Sequence, residues 1–435
     1  MNAALDHTRL YRLPWSLTDN GLSWVEPTAK CNLSCDACYR ENRAEHKSFE
    51  EMVAELDVLA RNRRSDSLVI AGGDPLLYPD LVRLVAEVRR RGYKPMLTTN
   101  GHALTTPLLE ELKKAGLAGF TFHVDSKQHR PGKWRDMNEL ELCELRDELA
   151  DQVAAFDLNC SFIATIYADT VQYIVPMTRW AEERMGKVHV MVFSVYRDFF
   201  TPELCYFAGG EEVPNTDPNK SDHELVQIRS VNGPARERMT SRGFVEILKE
   251  AFPDFSPSTY LNGTDDPSSL KWLLAGRIGR PGRIFGYVGA RFQELIQTLY
   301  HLRNGRYLAH PPVESYRRGK LTLLFSLFDR GVRAAAVAFL RDALRHPLRA
   351  LFQPLNVQSI LIIQPIDVAE DGRINMCDSC PDTTVWNGRL VWSCRLDELR
   401  KHGTNLSARP RTAVAACAGE RSQVPVQAAA PGTPI

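Results

Sequence analysis

Three cysteines fall within eight residues at Cys31-Asn-Leu-Ser-Cys35-Asp-Ala-Cys38, and three more, Cys377, Cys380 and Cys394, gather towards the other end of the chain. Thiols this close in sequence let one loop wrap one metal centre. Three thiolates on a [4Fe–4S] cube leave the fourth iron without a protein ligand, and that open iron suits a redox cofactor carrying its own amine and carboxylate. A structural zinc loop or unrelated core cysteines are the plainer alternatives for the first group. In the second group a CxxC pair precedes the Asn387-Gly388 dipeptide and the third cysteine follows it, so a hairpin would bring three sulfurs together. A second iron–sulfur cluster and a zinc ribbon both fit that pattern. Cys205, Cys417, an oxygen ligand or an open iron could complete it, whereas Cys143 and Cys160 read as buried packing.

These loops need elements to hold them. Strand-like runs at Leu22–Pro27, Ser67–Ala71, Pro95–Thr99, Gly119–Val124, Cys160–Tyr167 and Val188–Val195 alternate with amphipathic stretches such as Ser48–Ala60, Pro79–Arg91, Thr106–Ala115 and Asn138–Ala155. Six strands alternating with helices imply parallel βαβ units with right-handed crossovers, as a partial (β/α) barrel or an open doubly wound sheet. Either one gathers ligands at the C-terminal strand ends. The first cysteine group follows the first strand. Gly72-Gly73-Asp74-Pro75-Leu76 follows the second, Thr98-Thr99-Asn100-Gly101 the third, and His123-Val124-Asp125-Ser126 closes the fourth.

A CxxxCxxC loop after the first strand, with these loops in this order, resembles the radical S-adenosylmethionine (SAM) superfamily over about residues 20–200. The resemblance implies an α/β fold with a partial (β/α)6 TIM-like barrel, and an oxygen-sensitive enzyme. Its [4Fe–4S] cluster on Cys31, Cys35 and Cys38 would bind SAM, and a reductant such as flavodoxin or ferredoxin would supply one electron. The cofactor would be cleaved to a 5′-deoxyadenosyl radical that abstracts hydrogen from a substrate. Gly72, Gly73, Asp74 and Pro75 correspond to the GGEP-type motif that binds the methionyl ammonium group, with Asp74 in place of the usual Glu and one methylene less reach. Thr99, Asn100, Asp125 and Ser126 stand where family loops contact the methionyl and ribose portions. For Asp125 and Ser126 a helix cap or strand-end turn is the plainer reading. Ala37 occupies a position often aromatic in the family, leaving Tyr39 as the candidate for adenine packing. Cys377, Cys380 and Cys394 resemble the auxiliary-cluster extensions called SPASM or twitch domains, with too few cysteines for two clusters.

The expected organisation is a barrel over residues 1–205, an irregular and then basic helical insertion over 206–350, a cysteine-containing hairpin module over 351–407, and a disordered tail over 408–435. Formal net charge is +1, but Lys271 to Ala350 holds 15 Lys or Arg against 4 Asp or Glu, a local excess of 11. Within it the apolar run Leu321–Phe328 is followed by Arg330, Arg333, Arg341, Arg345 and Arg349. Such helices lie in a membrane interface or are ordinary packing helices with solvated arginines. On this basis a lipid or other hydrophobic anionic molecule is the favoured substrate. A peptide, as for a RiPP-type maturase, is the enzymatic alternative, and a non-catalytic iron–sulfur or zinc scaffold the alternative of another class. Aromatic platforms among the basic residues are not evident, so no nucleic acid is expected. No secretory signal or membrane-spanning run is visible, and the expected location is the cytoplasm, with peripheral membrane contact left open by the basic helices.

Overall fold

A computed structural model describes residues 5–197, 199–214, 227–229 and 236–412. Six strands, β1 (Leu22–Thr28), β2 (Ser67–Gly72), β3 (Lys94–Thr99), β4 (Gly119–His123), β5 (Asn159–Ile166) and β6 (Val190–Val195), pair in parallel in sequence order. Helices α1 (Phe49–Asn62), α2 (Leu81–Arg90), α3 (Thr106–Lys114), α4 (Cys143–Ala154) and α5 (Ile174–Glu183) return the chain between them. Each strand lies within about two residues of its expected span, because a strand buried on both faces reads as a continuous apolar run. Helix α1 starts at a capping box in which Ser48 and Glu51 satisfy each other's backbone N–H groups. Helix α2 buries Leu81, Leu84, Val85 and Val88 and leaves its arginines outside. The core between strands and helices is built from side chains such as Val25, Ile70, Leu97, Phe120, Phe122 and Phe162, with the Phe120 and Phe122 rings stacked at 5.1 Å.

The sheet then continues beyond the six strands. β7 (Thr259–Asn262), β8 (Leu270–Arg280), β9 (Arg283–Tyr287) and β10 (Asn356–Ile363) join it, β10 running parallel to β6 and β8 antiparallel to β10. The last neighbour is the short strand Tyr11–Arg12, parallel to β7. The result is an open eleven-stranded, mostly parallel sheet with β1 and Tyr11–Arg12 at its two edges.

Three expectations are corrected here. Residues 271–287 are not helical but form the β8–β9 hairpin. Its signal was hidden because Lys271, Arg277 and Arg280, which look like solvated positions, are buried in the sheet with partners of their own. Lys271 meets Asp367 at 2.6 Å, Arg277 meets Gln358 at 2.7 Å, and Arg280 pairs with Asp342. Pro281-Gly282 is the turn between the strands, with Gly282 at φ 74°, where a side chain is disfavoured. The cysteine module does not start at 351, since β10 is fully part of the main sheet. Ser407–Pro410 is ordered as a strand against Leu204–Ala208, which also straddles the expected boundary at 205. Residues 413–435, with Cys417, lie outside the described residues.

After β10, Asp367–Val368 pairs with Ile374–Asn375 across Asp371-Gly372, and β11 (Thr383–Trp386) pairs with β12 (Arg389–Trp392) across Asn387-Gly388. In the insertion, α6 (Ser241–Ala251) packs on α5, and α7 (Ala290–Asn304) crosses the N-terminal ends of the parallel strands. There Tyr300 donates to Asp66 at 2.7 Å, Lys94 to the His310 carbonyl at 2.7 Å, and Asn159 to the Pro311 carbonyl at 3.3 Å. That end of the sheet is thereby covered, and the end carrying the cysteine loops is left to face outward. No described helix is long and apolar enough to cross a membrane.

Candidate cluster and cofactor site

The loop from Lys30 to Arg40 leaves β1 with Cys31, Cys35 and Cys38, and the Gly72-Gly73 loop leaving β2 lies flat against it. Gly73 N–H donates to the Thr28 carbonyl and Asp74 N–H to the Lys30 carbonyl, both at 2.8 Å. A Cβ on Gly73 would sit 2.2 Å from the Lys30 carbonyl oxygen, and Gly72 holds φ at 118°, so glycine is required at both places. Asp74 and the buried Pro75 follow. Asp74 is fully buried, and its carboxylate accepts from Thr99 Oγ1 at 2.8 and 2.9 Å, Asn100 N–H at 2.8 Å and Leu76 N–H at 3.0 Å. Burial pushes this carboxyl up against those bonds. Through these bonds Asp74 ties the β2 loop to the β3 loop.

Asn100 carries the contact onward: its Nδ2 donates to Asn32 Oδ1 at 2.7 Å and lies 3.7 Å from Cys31 Sγ. Its carbonyl and that of His123 accept from Arg130 Nη2 at 2.8 and 2.9 Å. Asp125 is buried at the end of β4, where His123 Nε2 approaches its carboxylate at 2.8 Å and Lys127 N–H at 3.0 Å. Burial would raise it, but His123 and these bonds hold it below the ordinary carboxylate range. Ser126 N–H donates to Glu139, which is itself locked to buried Arg146. The four loops expected to form one site thus meet through a continuous hydrogen-bonded frame.

Within that frame the first cysteine group is crowded. Burial pushes the Cys35 thiol well up, and the nearby Asp125, Cys38 and Cys31 push it further. The Gln128 side chain, buried beside Cys35, hydrogen-bonds its thiol and opposes that rise. Among the described residues no three His, Cys, Asp or Glu side chains close on one point as ligands of a single ion would. A cube instead needs thiolates on separate irons, a cationic centre to offset their mutual repulsion, and hydrogen-bond donors to the sulfur. Three free cysteines, the flat Gly72-Gly73 cradle and the Gln128 donor at the Cys35 sulfur fit a [4Fe–4S] group in these respects.

Cys377, Cys380 and Cys394 are also brought together, since Cys377 and Cys394 both bear on the buried Cys380 thiol, as does Asp382. Burial raises the Asp382 carboxyl to about 7. Cys205 is not a neighbour of this group: it lies buried in the Leu204–Ala208 strand beside Glu212 and Arg411. Two arginines that sequence reasoning passed over anchor the second group, Arg40 to the first cysteine loop and Arg63 to the start of β1. Arg40, two residues after Cys38, bonds Glu26 at 2.6 Å and reaches both the carbonyl and the hydroxyl of Ser393, the residue before Cys394. Ser393 Oγ in turn meets Glu26 at 2.7 Å. Arg63 donates to the carbonyls of Cys380, Pro381, Leu22 and Leu17, and burial lowers its pKa to about 10. Tyr39 has its ring half-exposed under the Arg40 guanidinium, while its hydroxyl lies inward towards Ser393, Glu26 and Asp382. Its hydroxyl is therefore brought to the second cysteine group. Only the position of Arg40 beside Cys38 offered a sequence signal for any of these contacts.

Residues 25–142, which contain the first cysteine group and all four loops, match the family model described as the Radical SAM superfamily. This segment is similar to the Radical SAM superfamily. It is 31% identical over 114 residues to Fe-coproporphyrin III synthase of Methanosarcina barkeri, covering 25% of this chain and 28% of that protein. It is 37% identical over 103 residues to the PqqA peptide cyclase of Gluconobacter oxydans, covering 21% and 27%. The chain thus spans about a third or less of the length of the curated relatives it matches. Streptococcus suis SuiB bound to S-adenosylmethionine aligns at 19% identity over 41% of this chain and 42% of its own, with a TM-score of 0.33. The match over residues 25–142 implies a [4Fe–4S] cluster and SAM as cofactors. Beyond the C-terminal ends of β6 and β10 lies a cavity of about 520 Å³ lined by Arg197, Arg373, Asp265, Asp266, Asp367 and Asn375 among others.

Proposed function

We propose that this radical SAM protein is an enzyme that cleaves SAM reductively and removes a hydrogen atom from a polar, charge-bearing substrate, with a peptide as the first class to test. The observation that carries the reaction class is the cradle itself: three cysteines on one loop, pressed against Gly72-Gly73 and reached by Asn100. When bound, the cluster and SAM supply a carbon radical able to take hydrogen from an unactivated C–H bond. Cys31, Cys35 and Cys38 would hold the cluster. Gly72, Gly73 and Pro75 would line the methionyl portion, Asp74 fixes their loop to Thr99 and Asn100, and Asp125 with Ser126 would stand towards the ribose. The chain's remaining task is to keep the target bond close to the reacting carbon and to exclude water and competing hydrogen sources. Cys377, Cys380 and Cys394 would hold a second iron–sulfur cluster, with Asp382 a nearby carboxylate, and a flavodoxin or ferredoxin would deliver the electron.

The lipid reading of the substrate drew on the basic helices, and these stand at the covered end of the sheet, away from the cysteine loops. The cavity at the open end carries carboxylates and guanidiniums together, which suits a group bearing both signs of charge better than an acyl chain. The similarity to the PqqA peptide cyclase points the same way. Anaerobically reconstituted protein with dithionite should release 5′-deoxyadenosine from SAM, and Cys31→Ala, Cys35→Ala and Cys38→Ala should each abolish release and lose about four irons. Undiminished release by any of the three removes the assignment.

A further inference from the structure

Of fifteen large apolar side chains standing exposed among the described residues, ten lie between Leu321 and Phe352: Leu321, Leu324, Leu327, Phe328, Val337, Leu340, Leu344, Leu348, Leu351 and Phe352. Leu327 is 78% exposed and Leu344 86%. Scattered single exposures are ordinary, but an array of ten in one segment needs a cover. The helix α8 (Arg330–Arg345) shows how it arises. One face, with Val332, Ala335 and Asp342, is buried against the β8–β9 hairpin, and Ala335 touches Gly286. Val337, Leu340 and Leu344 recur at three- and four-residue spacing on the opposite face, so the helix is apolar on both sides.

The charges in this segment are sorted by sign. Its two acids, Asp329 and Asp342, are buried: Asp329 caps α8 and Asp342 pairs with Arg280 and Arg283. No carboxylate of the described residues forms an ion pair with Arg330, Arg333, Arg341, Arg345 or Arg349. Arg330, Arg333 and Arg341 line a groove of about 380 Å³ whose floor is Ala334, Val337 and Ala338. Guanidiniums around a floor of small apolar side chains match a phosphate group with the start of a hydrocarbon chain beneath it.

We propose that this face is a membrane-docking surface, in which Leu and Phe side chains from 321–352 enter the interface of an anionic bilayer and the Arg330–Arg333–Arg341 groove holds a lipid phosphate. A second copy of the chain is the less favoured cover, because a two-fold contact would set these arginines against their own equivalents with no acid to offset them. The face belongs to the covered end of the sheet. Asp342 pairs with the arginines flanking the β8–β9 turn, and Gly279 beside that turn pairs with Asn356, the first residue of β10. A bilayer held there leaves the cysteine loops turned towards water, which deepens the reading of a polar substrate while standing on different residues.

The test uses reconstituted full-length protein sedimented with vesicles of phosphatidylcholine alone or mixed with phosphatidylglycerol. Binding to the mixed vesicles, with partial release by salt, is expected. At about fivefold per charge lost, Arg330→Glu, Arg333→Glu and Arg341→Glu together should lower partitioning on the order of a hundredfold or more. Leu324→Ser, Leu344→Ser and Leu348→Ser should remove the salt-resistant part. Iron content, circular dichroism and vesicle-free 5′-deoxyadenosine release should match the parent in both variants, so failure here and failure of the enzymatic reading appear in different assays. Negligible binding to both vesicle types, undiminished binding of the charge-reversed protein, or a stable dimer that Leu344→Ser dissociates would each overturn the proposal.

Discussion

Arg40→Leu should undock the β11–β12 hairpin from the barrel. Arg40 and Glu26 are each almost wholly buried, so solvent screens their pairing little, and Glu26 also accepts from Trp24 and Ser393. Removing one partner of such a pair leaves the other charge uncompensated, at a cost of about 3–5 kcal/mol. Expressed as an opening equilibrium, this is roughly a hundredfold to several thousandfold more frequent opening, readable by native-state hydrogen exchange at the amides of Thr383–Trp392. The dependence on pH has a definite sign. In the parent, burial alone would raise Glu26, but Arg40 holds it below the usual carboxylate range. Its contribution is therefore complete above the unfolded carboxylate value of about 4.3 and is lost as pH falls through the lower folded value. In Arg40→Leu burial outweighs the remaining help from Ser393 and Lys47, so the variant should be most open near neutrality and close again on mild acidification as Glu26 takes up a proton. Glu26→Leu combined with Arg40→Leu should recover much of the loss, since an apolar pair has no charge to strand. Parent-like exchange in Arg40→Leu, or a double variant as open as the single one, would refute the argument.

Reconstituted protein should hold about eight irons, and a triple Ala variant at Cys377, Cys380 and Cys394 should keep the electronic spectrum of the first cluster; stoichiometric zinc with about four irons would favour the ribbon reading. Gly73→Ala should leave circular dichroism unchanged but prevent reconstitution of the first site, because the new methyl meets the Lys30 carbonyl at 2.2 Å, and normal iron loading would contradict the cradle. Asp74→Asn sets an amide N–H₂ among three donors and should weaken SAM binding measured by equilibrium dialysis, at a cost of about 1–3 kcal/mol. His189 and His310 are buried against the insertion, and burial lowers each to about 4. The unfolded chain binds protons there that the folded one does not, so stability should fall from about pH 6.5 towards 4, by on the order of 3 kcal/mol per histidine. Acid-induced release of the insertion, read by limited proteolysis, should accordingly be blunted in His189→Gln.

The six parallel strands and both cysteine groups were legible because strict local signals mark them: apolar runs of strand length, glycine-rich loop starts and cysteine spacing. The β8–β9 hairpin was not, because strand alternation is disguised when Lys271, Arg277 and Arg280 find their partners a hundred residues away or in another strand. The docking of the second cysteine group was equally hidden. Arg63 works through backbone carbonyls at Leu17, Leu22, Cys380 and Pro381, and carbonyls carry no residue identity for a sequence to display. Asp74 shows a third limit: the motif position was readable, but its bonds to Thr99 and Asn100 on the next strand's loop carry no local sequence signal.

The two edges of the open sheet are consecutive in the chain. Tyr11–Arg12 forms one edge and β1 the other, so residues 13–21 must cross the gap between them. Ten Cα steps reach no more than about 35 Å even when fully extended. That length acts as a hoop, setting an upper limit on how far eleven twisted strands can uncurl. The hoop is also clamped, since Leu13 and Trp15 are buried with Leu261, and Gly21 is close enough to the Trp15 ring that a Cβ would stand 2.5 Å from it. The crossing also reaches the second cysteine loop, where Asn20 donates to the Ser379 carbonyl at 3.0 Å, so lengthening it by a few residues would loosen the sheet's limit and that loop's anchor together.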